Sequence, residues 1–260
     1  MPRANRHFLP GYAWHLTHRC HTQEYLLKFA RDRQLWRHWL FEARKRYGLC
    51  VLNYIATSNH IHLLVQDTGD DAIAMSMQLI AGRTAQAYNQ RKERKGAFWE
   101  DRYHATAVQT DDHLARCLVY MDLNMVRAGV VAHPRDWQWS GYHELMHPPQ
   151  RYAITDQAKL MALLGITSLG DLQHTRDQWI TDRLGEGQVT REAGWTQSLA
   201  LGSADFVEDV KEKLGITAKA RRIIERDGVH VLKEPAVSYA IDCDAENAVP
   251  SNNRPSNSAE

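Results

Sequence analysis

Residues 12–19, "YAWHLTHR", alternate apolar and polar positions with the period of two expected of a strand. Residues 28–47 place Leu35, Trp36, Trp39, Leu40 and Ala43 along one helical stripe, closed by Gly48. Two short β-rich runs follow, "CVLNYIAT" and "HIHLLVQ", joined at Ser58 and Asn59, which predicts a hairpin. Residues 70–91 return to the helical period, with Ile73, Met77, Ile80, Ala81 and Tyr88 on one face, and end in the basic turn "RKERKG". "RYHATAVQT" predicts another strand. Asp111 then caps a third helix that runs to residues 126–128 and stops at Gly129. This order predicts an α+β fold, a ferredoxin-like antiparallel sheet with helices on one face.

After Gly129 the pattern changes. "HPRDWQWSGYHELMHPP" is an aromatic, Pro-bounded connector, and from Gln150 the chain predicts short helices separated by glycine. "SADFVEDVKEKLG" and "TAKARRIIERDG" are two such helices joined at "GIT", a candidate helix-turn-helix with Lys219, Arg221 and Arg222 on its second helix. "AENAVPSNNRPSNSAE" has the polar, Pro/Asn/Ser-rich composition of a disordered tail. The expected organisation is a domain over residues 1–147, a small helical C-terminal extension over 148–244 and a tail over 245–260.

The net charge of +1 conceals an asymmetry: residues 1–149 hold 19 Lys and Arg against 14 Asp and Glu, and 12 of the 14 histidines, while residues 150–260 hold 13 against 17. The first part is therefore where a polyanion would bind. The four cysteines form no C-x-x-C pair, which argues against a zinc ribbon or a disulfide framework and points to reduced thiols. Apolar runs are too short for a membrane span and the first residues lack a signal-peptide layout, so the chain is expected to be cytoplasmic, with no membrane partner.

The chemistry starts at "NHIHLLV". Residues two apart on a strand point to the same face about 6.7 Å apart, so His60 and His62 form a metal half-site or a pair of surface histidines. A third partner lies in "DDHLARCLVYMDLNMVRAG". Tyr120 and Asn124, four apart, share one helix face, and Arg127 follows on the same stripe. The Asn124 amide oxygen can complete a metal site begun by two imidazoles, with the Tyr120 phenol beside it.

These residues carry a resemblance. "NHIHLLV" resembles the His-hydrophobic-His motif of the HUH endonucleases, and "YMDLNMVRAGVV" followed by "WQWSGY" resembles the tyrosine helix and downstream signature of the REP-associated tyrosine transposases, relatives of the insertion-sequence transposases. "YAWHLTHR", "AYNQR" and "GAFWEDRYHA" stand in the family's order, so the likeness covers residues 8–146. Met125 and Ser58 depart from prolines common in the family. The resemblance implies the HUH endonuclease fold, His60, His62 and Asn124 as metal ligands, Tyr120 as nucleophile and Mg²⁺ or Mn²⁺ as cofactor. It implies cleavage and strand transfer through a 5′-phosphotyrosine, on single-stranded DNA carrying a palindromic hairpin, by a monomer or homodimer associated with the nucleoid.

For DNA contacts the candidates are Arg3, Arg6, Arg91, Lys92, Arg94, Lys95, Arg102 and Arg127 on phosphates, with Trp99 and Tyr103 stacking on unpaired bases. The alternative function is a domesticated, sequence-specific DNA-binding protein that does not cut.

Overall fold

The alternating segments pair in the predicted ferredoxin-like order. In the computed structural model, which describes residues 8–187, 190, 192–226 and 228–233, β1 (Ala13–Arg19) lies between β3 (His60–Gln66) and β4 (His104–Val108), antiparallel to both. The strand β2 (Cys50–Ala56) flanks β3. Three further strands, β5 (Ala200–Gly202), β6 (Arg222–Arg226) and β7 (Val229–Lys233), extend the sheet in the order β2-β3-β1-β4-β5-β7-β6. Arg3, Arg6, Cys243 and the expected tail lie outside the described residues.

Helices cover both faces, and this corrects the expectation of helices on one face. On one side, α1 (Ala30–Tyr47) and α2 (Ala72–Arg91) bury Trp36, Leu40, Ile73, Met77 and Ile80 against Leu16, Ile61, Leu63 and Val65. On the other, α3 (Asp112–Asp122) packs Leu114, Cys117, Leu118 and Met121 on Leu52, Leu64 and Val108. The strand run "HIHLLV" is apolar on both faces below its two histidines, as a strand covered twice must be. The second layer is completed by α5 (Gly141–Met146), α6 (Gln157–Leu164), α7 (Leu169–Gly185) and α8 (Gly194–Gln197), which bring Leu145, Leu160, Leu172 and Trp195 to the same core.

The C-terminal extension is not purely helical. Residues 204–214 form the expected helix, α9 (Ala204–Leu214), capped by Ser203. The expected second helix is instead a 3₁₀ turn followed by β6, which pairs with β7 through Ile223↔Leu232 and Ile224↔Val231. This overturns the helix-turn-helix: Lys219 follows the turn, the Arg221 guanidinium donates to the Thr217 carbonyl at 2.6 Å and Arg222 opens the strand. Lys, Ala, Arg and Glu favour helix locally, but pairing with "VHVLK" decides the outcome.

Two details position the site. A bulge shifts the β2 register between Val51 and Asn53, so that Asn53 pairs with Leu64 and faces α3. The "WQWSGY" segment seals the outer edge of β2: the Trp137 indole donates to the Ala56 carbonyl at 3.0 Å, and the Ala56 amide donates to the Trp139 carbonyl at 2.9 Å. Gly141 is required there because a Cβ would meet Asn53 Oδ1 at 2.5 Å. Among the described residues no helix is long and apolar enough to cross a membrane.

Candidate active site

The polar positions of β1 and β3 meet by register. Opposed residues of an antiparallel pair share a face, and Thr17↔His62 and Arg19↔His60 set one cluster at the end of β3. Above them the tyrosine helix breaks at Leu123, where α3 ends and the short α4 (Asn124–Arg127) begins, in place of one continuous helix. The backbone bonds Leu123 to Val119 and Arg127 to Leu123 continue across the joint, so Tyr120 and Asn124 still face the sheet together. Asp111 accepts from the His113 amide as the expected cap.

His60, His62, Asn124, Tyr120 and Arg127 line one open pocket with Thr17, Arg19, Gln23, Asn59, Ala128 and Thr196. Its volume of about 350 Å³ is at the small end for ligand pockets. The Asn124 Nδ2 lies 3.0 Å from His62 Nε2 and 3.5 Å from His60 Nε2. His60 Nδ1 donates to Asn59 Oδ1 at 2.7 Å, which leaves the lone pair on Nε2. Tyr120 is 5% exposed, with the Arg127 guanidinium 4.1 Å from its ring centre and the His62 and Trp195 rings 6.0 and 5.9 Å away.

Electrostatics keep the inner imidazoles neutral. His62 is 2% exposed, and burial drives its pKa well below the ordinary value, reinforced by the neighbouring His15, His60, Arg127 and Arg19 charges. Burial also pushes His15 down to about 4, against the opposing pull of its bond to the Trp195 carbonyl. Neutral imidazoles bind metals, and two Nε2 atoms converging on one amide form a donor set that fits a divalent cation once that amide presents its oxygen. Rotation about the Asn124 Cβ–Cγ bond exchanges the two amide atoms.

The Transposase IS200 like family model matches residues 10–122. Over this segment, somewhat under half of the chain, the sequence is similar to that family. The matched segment includes His60, His62 and Tyr120 and ends two residues before Asn124. A curated Haemophilus influenzae protein described as a REP-associated tyrosine transposase is 26% identical over 137 residues, spanning 47% of this chain and 73% of the relative. The chain is also similar to a solved REP-associated tyrosine transposase bound to a REP hairpin, with 20% identity, a TM-score of 0.48, and coverage of 60% of this chain and 94% of that one. A crystal structure described as a transposase from Deinococcus radiodurans R1 shows 14% identity and a TM-score of 0.33, covering 45% and 92% respectively.

Of the DNA-contact candidates within the described residues, Arg127 lines the pocket and the others lie outside it. Arg91 is ion-paired with Asp32 and Arg94 with Glu24, while Lys92 and Lys95 are exposed. The Trp99 indole donates to the Ala81 carbonyl at 3.0 Å and stacks on His18 at 4.2 Å, and Tyr103 lies edge-on to that same histidine. Arg102 is exposed, its amide bonded to Asp101. Replacing Lys92 and Lys95 with Gln is expected to flatten the log–log salt slope of single-strand binding by about 0.7 per lost phosphate contact. An unchanged slope in a filter-binding titration would make the turn a solvated loop.

Sequence reasoning missed Arg19, Thr17 and His15. The signal was present: positions 15, 17 and 19 of β1 are all polar on one face of a strand whose other face carries Trp14 and Leu16.

Proposed function

We propose that this chain nicks and rejoins single-stranded DNA, with Tyr120 as nucleophile and His60, His62 and Asn124 as the ligands of Mg²⁺ or Mn²⁺. The observation that carries this reading is that the phenol, the two imidazoles and the amide line one pocket, with Arg127 over the phenol ring. A bound divalent ion supplies Lewis-acid polarisation of the scissile phosphate. The Tyr120 hydroxyl attacks phosphorus as the P–O3′ bond breaks, leaving a 5′-phosphotyrosine and a free 3′-hydroxyl. Arg19 on β1 and Arg127 on α4 both line the pocket and offer positive charge to the phosphate. A phenolate leaves more readily than an alkoxide, so the 3′-hydroxyl of a second DNA end displaces Tyr120 without another energy source.

The substrate we assign, single-stranded DNA with a palindromic hairpin, follows the resemblance to REP-associated tyrosine transposases. Residues 1–147 are assigned the chemistry, and the protein acts as a monomer or homodimer.

Asn124 provides the test. Asn124→Ala removes the amide oxygen while raising helix propensity by up to about 0.7 kcal/mol, so lost activity is not attributable to a weakened helix. Nicking of a labelled hairpin oligonucleotide should fall steeply, and Asn124→Asp should keep partial, Mn²⁺-dependent activity because a carboxylate is an adequate ligand for hard cations. Parental nicking and metal requirement in Asn124→Ala would place the third ligand elsewhere.

A further inference from the structure

We propose that His15 and the main-chain carbonyl of Trp195 are a positioning relay that fixes His62 with its hydrogen on Nδ1 and its lone pair on Nε2. The chain beyond the matched segment thereby completes the site. The inference rests on the reading of His62 as a metal ligand and extends it.

The hydrogen bonds assign themselves in one direction. A carbonyl oxygen only accepts, so the Trp195 oxygen, 2.9 Å from His15 Nδ1, places the His15 hydrogen on Nδ1. The Asn124 amide nitrogen, 3.0 Å from His62 Nε2, donates to it, so the bond between the two rings runs from His62 to His15 Nε2. That atom lies 2.8 Å from His62 Nδ1, which therefore donates, and the lone pair of His62 falls on Nε2, facing Asn124. The two rings are nearly parallel, 5° apart with centroids at 4.9 Å, an arrangement that accommodates an in-plane bond between imidazoles. The Thr17 hydroxyl is the competing partner of His62 Nδ1 and stands farther off, at 3.4 Å.

The relay is held from the C-terminal side. Trp195 is fully buried, its indole donates to Glu192 at 3.0 Å and its ring lies beside Tyr120. From β4 the Thr106 hydroxyl lies 3.2 Å from the Trp195 carbonyl and 2.6 Å from that of Ser198. One segment, residues 192–198, thus backs the phenol and orients the ligand. His15 sits at the middle of β1 with no exposure, where an aliphatic side chain would pack without needing polar partners. Loss of such an outer partner typically lowers metal affinity about 10–100-fold.

The test uses the full-length, metal-free protein. Long-range ¹H–¹⁵N spectra of its imidazole rings should show His62 protonated at Nδ1, and His15→Leu should move that hydrogen to Nε2. Mn²⁺ binding followed by electron paramagnetic resonance, without DNA, should weaken about 10–100-fold in His15→Leu. His15→Gln, whose amide accepts from His62 and donates to Trp195, should recover most of the affinity. An Nε2-protonated His62 in the unmodified protein overturns the relay even if His15→Leu does not fold. Unchanged tautomer and affinity in a folded His15→Leu overturn it as well. An Nδ1-protonated His62 in a protein that binds no Mn²⁺ leaves the relay standing and removes the metal reading instead.

Discussion

Tyr120→Phe is expected to abolish covalent attachment of a labelled oligonucleotide while leaving its affinity for the protein nearly unchanged. The substitution removes one hydroxyl from a ring that is 5% exposed, and the ring keeps its packing against Arg127, His62 and Trp195. Binding is governed by phosphate contacts, none of which the change removes. The measurement is a denaturing gel of protein mixed with 5′- or 3′-labelled hairpin DNA and Mn²⁺, beside an affinity titration of the same pair. An adduct that persists moves the nucleophile to another tyrosine. Absence of an adduct from the unmodified protein, with tight hairpin binding, favours a DNA-binding protein that does not cut.

Arg176→Ala is expected to destabilise the protein by about 3–5 kcal/mol, the usual result of stripping one partner from a buried ion pair. Arg176 and Asp122 are both essentially unexposed and joined by two bonds, of 2.7 and 2.6 Å, with Asn53 donating to Asp122 at 3.1 Å. Asp122 stands two residues from both Tyr120 and Asn124, so the pair fastens the joint between α3 and α4 to α7 and the sheet. The pH dependence gives a second readout. Burial raises the Asp122 pKa, with Arg176 the main opposing influence. A carboxyl with a raised folded pKa is most stable protonated and loses stability as pH rises through that pKa. Removing Arg176 raises it further, so the deficit should narrow on acidification, and Asp122→Asn in the same background should restore part of the loss. Denaturant midpoints at pH 5 and pH 8 check both points. A deficit under 1 kcal/mol, independent of pH, would mean the pair is not the fastening.

The first part of the fold was legible because its elements are locally specified. Trp36, Leu40 and Ala43 recur at helical spacing, Gly48 adopts φ +66° at the end of α1, and "HIHLLVQ" can face two cores only as a strand. The His60, His62, Tyr120 and Asn124 group was legible through spacing and family motif together. What escaped depends on partners far along the chain. His15 meets Trp195 across 180 positions and Asp122 meets Arg176 across 54, and neither pair has a local pattern. The β6 strand was hidden by its own composition, since "ARRIIER" suits a helix until β7 is beside it.

The extra residue in β2 works as a phase shifter. Val51 pairs with Val65 on the α1 and α2 side, whereas Asn53 pairs with Leu64 on the opposite side, because Leu52 takes up one position without a partner in the ladder. If Leu52 were paired in a regular ladder, Asn53 would follow Val51 onto the apolar face, since side chains two apart in a regular strand agree in direction. A ladder that paired Leu52 with Leu64 would therefore send the Asn53 amide into the α1 and α2 core and leave the Asp122 carboxylate one donor short. The reading frame of one edge strand thus sets how firmly the tyrosine helix is tied down on the far side of the sheet.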